Sequence, residues 1–204
     1  MFFTTFHYKP EHMDCKLCQK YAKGKGCTAD GCPWLAERIQ AGAVDYAEAV
    51  REAFPHDSGL NARLHTVIRC FTGSVFLSAA HRQRMERTRK RVGHRKQRDT
   101  PACFAAMYLL TVNEQLYSCT RDCFVPNGLK FEFAYLYGIS PGNYTLLSAA
   151  RDIYTDSTKV SVSDLANAEV VDTLAFGLIV NALLIARYGC AVLKIGEKKK
   201  EGRE

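Results

Sequence analysis

The sequence has no apolar run of the roughly 18–20 residues that a bilayer-spanning helix needs. Its longest, Leu174–Ala186, is 13 residues and carries Gly177 and Asn181 inside it, so it reads as a buried helix. The opening residues, MFFTTFHYKPEH, lack the basic start and apolar stretch of a secretory signal. There is no glycine-rich nucleotide loop, no P-loop, no HExxH and no nucleophile elbow. Histidine is sparse and scattered: His7, His12, His56, His65, His81 and His94. Nothing in their spacing selects a Cys–His pair. The acids Asp152, Asp156, Asp164, Glu169 and Asp172 read as helix caps and loop residues, with a carboxylate pair as the alternative. No internal repeat is visible. These absences assign no catalytic residue, and the chain reads as a binding protein rather than an enzyme, with a hydrolase or nuclease of a new kind as the alternative.

With no export signal, the expected compartment is the reducing cytoplasm, where clustered cysteines bind metal more often than they form disulfides. Residues 1–12 differ in character from the rest of the chain and read as disordered or as a mis-assigned start, with Met13 the alternative first residue. Hydrophobic residues make up 47% of the 204, enough for a packed core.

Periodicity gives a mainly α fold, a helical bundle over 35–193 behind a small N-terminal four-cysteine zinc knuckle at 13–34, with room for one short β-hairpin. Val44, Ala47, Val50 and Phe54 mark one helix, and Leu60, Leu64, Val67, Ile68 and Phe71 another. Ser78 caps a helix that runs to Gly93. Asp99-Thr100-Pro101 starts the next, with Phe104, Tyr108, Val112 and Leu116 as its stripe. Residues 129–139 fit strand or helix. Ser140-Pro141 opens a further helix, Ser163 a short one through Val171, and Asp172 a last one ending at Gly189. That last helix is apolar on all sides and belongs at the centre. Residues 194–204 read as a charged, frayed tail.

Four cysteines cluster as Cys15-x2-Cys18-x8-Cys27-x4-Cys32. A C-x2-C step lets two thiolates reach one ion from a tight turn, and zinc takes four such ligands in a tetrahedron. Gly24, Gly26 and Gly31 permit positive-φ turns beside the second pair. Lys16, Lys20, Lys23 and Lys25 offset the negative charge of a Zn2+ centre with four thiolates. Filled ligand positions make the site structural. Free thiols, a disulfide and an iron–sulfur cluster are the other readings. The stretch Cys18 to Cys32 also resembles the CCCH zinc fingers that bind single-stranded RNA: cysteine, an aromatic residue (Tyr21) three on, Gly26, Cys27, Gly31, Cys32. No histidine follows Cys32, so Cys15 would have to substitute. The resemblance implies that Tyr21 stacks on a base; packing beneath Trp34 is the alternative. Cys70, Cys103, Cys119, Cys123 and Cys190 are scattered and read mostly as buried free thiols.

Charge is concentrated. His81–Arg98 holds nine Lys/Arg and one Glu, against a net charge of +7 for the whole chain. The candidate phosphate contacts are Arg82, Arg84, Arg87, Arg89, Lys90, Arg91, Arg95, Lys96 and Arg98. Only Met85 and Val92 give this helix an apolar stripe, so it is mostly solvated. A plain solvated helix, a nucleic-acid contact, and docking onto an acidic protein surface or anionic lipid all fit. Lipid fits least, because there is no broad apolar face to insert.

Gly138-Ile-Ser-Pro-Gly-Asn-Tyr144-Thr-Leu, Ala149-Ala-Arg-Asp-Ile-Tyr154 and Asn181-Ala-Leu-Leu-Ile-Ala-Arg187-Tyr188-Gly189 resemble an uncharacterised family of small proteins from gut Firmicutes, often carried on conjugative elements. Asp99-Thr-Pro-Ala and Tyr108-Leu-Leu-Thr fit the same group. The resemblance implies a bacterial mobile-element setting and no catalytic residues. This leaves two expectations. One is a zinc-containing accessory protein that binds DNA or RNA. The other is a protein-binding inhibitor or adaptor acting on a host nucleoprotein or defence complex, favoured by the six acids against three Lys/Arg in Phe131–Gly189.

Metal analysis of the purified protein is expected to return about one zinc per chain. Cys18→Ser with Cys27→Ser should remove it, and full occupancy in that double variant would exclude the assignment.

Overall fold

The computed structural model describes residues 21–22, 26–27, 38–39, 42, 44–54, 59–93 and 99–196. The fold is mainly helical. Its elements are β1 (Tyr21–Ala22), β2 (Gly26–Cys27), α1 (Tyr46–Ala53), α2 (Asn61–Arg69), α3 (Ala79–Val92), α4 (Pro101–Leu110), α5 (Glu114–Thr120), β3 (Phe124–Val125), β4 (Gly128–Leu129), α6 (Pro141–Thr155), α7 (Val162–Ala166) and α8 (Thr173–Tyr188). Short 3-10 turns cover Arg121–Cys123, Phe131–Phe133 and Gly189–Lys194.

Helix starts follow local chemistry. Asp45, Ser78, Thr100, Asn113, Ser140, Ser161 and Asp172 each accept a hydrogen bond from a first-turn backbone N–H. Such caps contribute about 1 kcal/mol each. The short helix α7 begins at Ser161, where Asp164 completes a reciprocal capping box, and not at Ser163. The expected stripe from Phe104 to Leu116 is two helices. α4 ends at Leu110, and Asn113 caps α5 by accepting from the Leu116 N–H at 2.9 Å.

The centre is a pair of helices with no polar side. In α4 every residue from Cys103 to Leu110 is buried, and in α8 ten residues are. The two pack against each other, α6 packs on both, and α1 and α2 cover α8. The stretch Thr173–Lys194 is long and apolar enough to cross a membrane and holds an 18-residue window of mean hydropathy 1.8. The apolar character continues past Arg187, beyond the run counted in the sequence. Yet 56% of that window is buried within the protein.

One polar knot sits in this core. The Tyr46 hydroxyl donates to Asn181 Oδ1 at 2.6 Å. Asn181 Nδ2 lies 3.3 Å from both the Tyr108 hydroxyl oxygen and the Val75 carbonyl. The Tyr108 hydroxyl donates to the same carbonyl. Burial pushes both tyrosine hydroxyls well above their ordinary pKa, so they stay protonated donors.

Apart from Leu129, which ends β4, and the 3-10 turn at Phe131–Phe133, residues 129–139 form neither a strand nor an α-helix. The hairpin takes in only the first of them: β3 and β4 pair antiparallel, Phe124 opposite Leu129 and Val125 opposite Gly128. Gly128 has φ +145°, and a Cβ there would lie 2.3 Å from the Tyr154 hydroxyl, so only glycine fits. After the 3-10 turn the chain has no partner strand among the described residues, and its alternating aromatics are exposed.

Tyr108→Phe removes a donor to the Val75 carbonyl and an acceptor for Asn181 without changing ring packing. Urea unfolding should show a loss of about 1–3 kcal/mol. An unchanged midpoint would mean that the knot contributes nothing.

Candidate nucleic-acid interface

Cys15, Cys18, Cys32, Arg95, Lys96 and Arg98 lie outside the described residues, as do the side chains of Cys27 and Tyr21. The β1–β2 hairpin sets the backbone of Tyr21 opposite that of Cys27. Among the described residues no group of three or more His, Cys, Asp or Glu gathers to hold a metal. Cys103 and Cys123 are buried thiols outside any disulfide, Cys119 and Cys190 are half-buried, and Cys70 is exposed. Burial pushes the Cys123 thiol up to about 11 and the Cys190 thiol upward as well, so neither is a ready nucleophile.

The basic helix α3 starts at Ser78, which accepts from the His81 N–H at 3.1 Å, and stops at Gly93, where φ is +67°. Its inner face is His81, Met85 and Thr88, with Val92 half-buried. The apolar stripe in the sequence holds only Met85 and Val92. It misses His81 and Thr88 because both are polar, yet both are fully buried. His81 Nε2 is 2.8 Å from the Tyr108 carbonyl, and Nδ1 accepts from the Leu77 N–H at 3.3 Å. These bonds define a neutral ring with the proton on Nε2. Phe76 meets it edge-on at 5.2 Å. The Thr88 hydroxyl donates to the Arg84 carbonyl at 2.8 Å and meets the Tyr117 hydroxyl at 3.3 Å.

The cations sort by position around the helix. At 3.6 residues per turn, Arg82 and Arg89 fall on one flank, Arg84 and Arg91 on the other, and Arg87 and Lys90 on the back. On the first flank Arg82 lies over the Phe76 ring at 4.8 Å and Arg89 over Phe104 at 4.7 Å. On the second, Arg84 donates to the carbonyls of Thr111 (2.8 Å) and Val112 (2.5 Å), with Glu114 at 3.6 Å. Arg91 donates to the Arg121 carbonyl at 2.9 Å. The side chains of Arg87 and Lys90 are exposed, with no hydrogen bond or ion pair among the described residues. A cleft of about 460 Å³ opens beside the helix end, lined by Glu86, Arg89, Lys90, Asp99 and Phe104.

No family model, curated protein or solved structure matches the chain. The surface itself is what bears on function.

Two further features leave little trace in the sequence. A cleft of about 510 Å³ is lined by Tyr46, Val67, Phe71, Val75, Gly177 and Asn181, with no charged side chain among its described lining residues. It forms where α8 faces the loop after α2, a tertiary contact that no local pattern announces. The second is an exposed aromatic segment: Phe133, Tyr135, Leu136 and Tyr137, with Tyr144 further on. Its signal is the alternation of aromatics, which by period points to secondary structure and not to surface.

Burial drives the His81 pKa down from 6.5 to about 4; the hydrogen bond to Tyr108 opposes the shift and nearby Arg84 adds to it. The folded state thus binds fewer protons than the unfolded chain. Stability from this group is full above pH ~6.5 and falls as pH drops toward ~4, by about 1.4 kcal/mol per unit. Urea unfolding at pH 7 and at pH 4.5 should differ by this trend, and His81→Leu should flatten it. An equal slope in the variant would mean that other groups cause the acid sensitivity.

Proposed function

We propose that the protein binds nucleic acid through the outer side of α3, as a zinc-containing accessory protein of a bacterial mobile element working in the cytoplasm. It acts by binding, not by catalysis. The observation that carries this reading is the state of the cations on α3. Arg87, Arg89, Lys90 and Arg91 are exposed and have no carboxylate partner among the described residues. The opposite face of the same helix is fixed by His81, Met85 and Thr88. A rigid helix with uncompensated charge suits a phosphate backbone, where arginine forks match phosphate oxygens and counterion release drives binding. Arg95, Lys96 and Arg98 extend the run in sequence.

The zinc assignment rests on the spacing of Cys15, Cys18, Cys27 and Cys32, with the β1–β2 hairpin as a turn of the kind that metal knuckles use. The mobile-element setting rests on the sequence resemblance alone, carried by Asp99-Thr-Pro-Ala, Tyr108-Leu-Leu-Thr and the C-terminal helices. The second reading, a protein-binding inhibitor or adaptor, is favoured by the acidic stretch Phe131–Gly189 with its six acids and three Lys/Arg.

If five to seven of the Lys/Arg in Arg82–Arg98 engage duplex DNA, log K against log salt should have a slope of about −4.5 to −6. Arg87→Glu with Lys90→Glu should make that slope shallower by about 2 and weaken every sequence alike. Neither side chain supports the fold, so thermal stability should hold. A double variant that binds duplex DNA like the parent, measured by fluorescence anisotropy, would remove the nucleic-acid reading and leave the protein-partner reading.

A further inference from the structure

Five large exposed apolar side chains occur within twelve residues, four of them aromatic: Phe133, Tyr135, Tyr137 and Tyr144, with Leu136. Tyr135 is 66% exposed and Tyr137 is 84% exposed. Side chains of this size are normally placed where the polar tip is wet and the ring is covered. Here the rings are bare.

The backbone beneath them is nonetheless fixed. The Tyr135 N–H donates to the Cys119 carbonyl at 2.8 Å. Gln115 Nε2 donates to the Gly138 carbonyl at 3.0 Å, and the Ile139 N–H closes a turn onto Leu136 at 3.2 Å. The segment is thus pinned to α5 at both ends while its rings stay exposed. The Tyr135 and Tyr137 centroids lie 6.3 Å apart with planes at 48°. They are too far apart and too tilted to stack on each other, and each leaves a face open.

The patch is joined to the basic helix by a short chain of contacts. Arg91 of α3 donates to the Arg121 carbonyl. Two residues on, the Cys123 carbonyl accepts from the Lys130 N–H at 2.9 Å, and Lys130 Nζ lies 5.7 Å from the Phe133 ring. Exposed Arg121 and Lys130 mark the way from α3 to the aromatic rings, with Arg121 Nε 3.8 Å from Asp122 Oδ1. With Asp122 and Glu132 this stretch is neutral, and the positive charge is that of α3. A basic helix tied by these contacts to open ring faces suits a single strand, whose backbone meets the charge of α3 while unpaired bases stack. A duplex has no free base faces to offer.

We propose that the ligand is single-stranded nucleic acid, with successive bases stacked on Tyr135 and Tyr137 and its backbone led from α3 past Arg121 and Lys130. This rests on the nucleic-acid reading of α3 and narrows it to one form of ligand.

The test uses the full chain, a fluorescent 15-nucleotide oligothymidine and a duplex of equal length. Tyr135→Ala with Tyr137→Ala is expected to weaken the single strand at least about tenfold, since stacking on one ring alone is worth roughly fivefold or more. Duplex affinity should change less than about twofold, because phosphate contacts alone hold it. Tyr135→Phe with Tyr137→Phe should bind like the parent, because the ring and not the hydroxyl stacks. Both positions are exposed, so the variants should fold, and the circular dichroism spectrum checks this. A Tyr-to-Ala variant that binds the single strand like the parent overturns the proposal. If its duplex binding still follows the α3 charge, the function proposed above survives that result. A parent that binds neither oligonucleotide overturns both, and leaves the rings as a protein-docking face.

Discussion

The body of this protein is organised by a helix that has no side to turn toward water. α8 buries ten residues, and Asn181 among them is placed where only a complete set of partners makes burial tolerable. An unsatisfied amide there would cost roughly 1–3 kcal/mol. Tyr46 from α1, Tyr108 from α4 and the carbonyl of Val75 meet it together. Apolar packing alone would let α8 slide or rotate against α4 at small cost. The amide fixes one register, because a shift by one residue would leave the amide and the Tyr46 hydroxyl without these partners. Three separate parts of the chain are held to a single depth by this one side chain.

That same region anchors the basic helix. The last turn of any helix leaves carbonyls without intrahelical partners. At the end of α4 the carbonyls of Tyr108, Thr111 and Val112 are met by side chains of α3, His81 for the first and Arg84 for the other two. α3 therefore caps α4 from outside. A helix with so thin an apolar stripe would otherwise be marginal, since short helices draw most of their stability from packing. Its polar residues supply the docking that its apolar ones cannot.

How much of this is legible in the sequence depends on what kind of signal each feature leaves. Caps are local, so Ser78, Thr100 and Ser140 can be read directly, and the centrality of the last helix follows from its composition. The break at Thr111–Asn113 is invisible, because Phe104, Tyr108, Val112 and Leu116 keep helical spacing across it. Holding that break open are the bonds from Arg84 to two carbonyls, a contact across 27 and 28 positions. By sequence, His81 is one more polar residue at the head of a charged run. Its burial depends on Phe76 and Tyr108 closing around it, which no periodicity encodes. The aromatics from Phe133 to Tyr137 show the opposite error. Their alternation is real, but alternation predicts a strand only when a neighbour strand exists to pair with it.

The excess of arginine over lysine in α3 also acquires a second cause. By sequence alone, seven arginines to two lysines in His81–Arg98 suggest phosphate recognition. In the structure the flanking positions need guanidinium groups for packing: a flat cation lies over Phe76 and Phe104, and a forked one spans the carbonyls of Thr111 and Val112. Lysine does neither well. On the back of the helix, where only charge is needed, one of the two residues is Lys90. The two roles reinforce each other. A guanidinium with one edge bound to a carbonyl or one face on a ring has already lost much of its side-chain freedom. Less is then left to lose when its remaining N–H groups meet a phosphate. The arginines that fix the helix to the core thus stand pre-oriented at the border of its free surface, which ties the strength of the proposed interface to the packing of the fold beneath it.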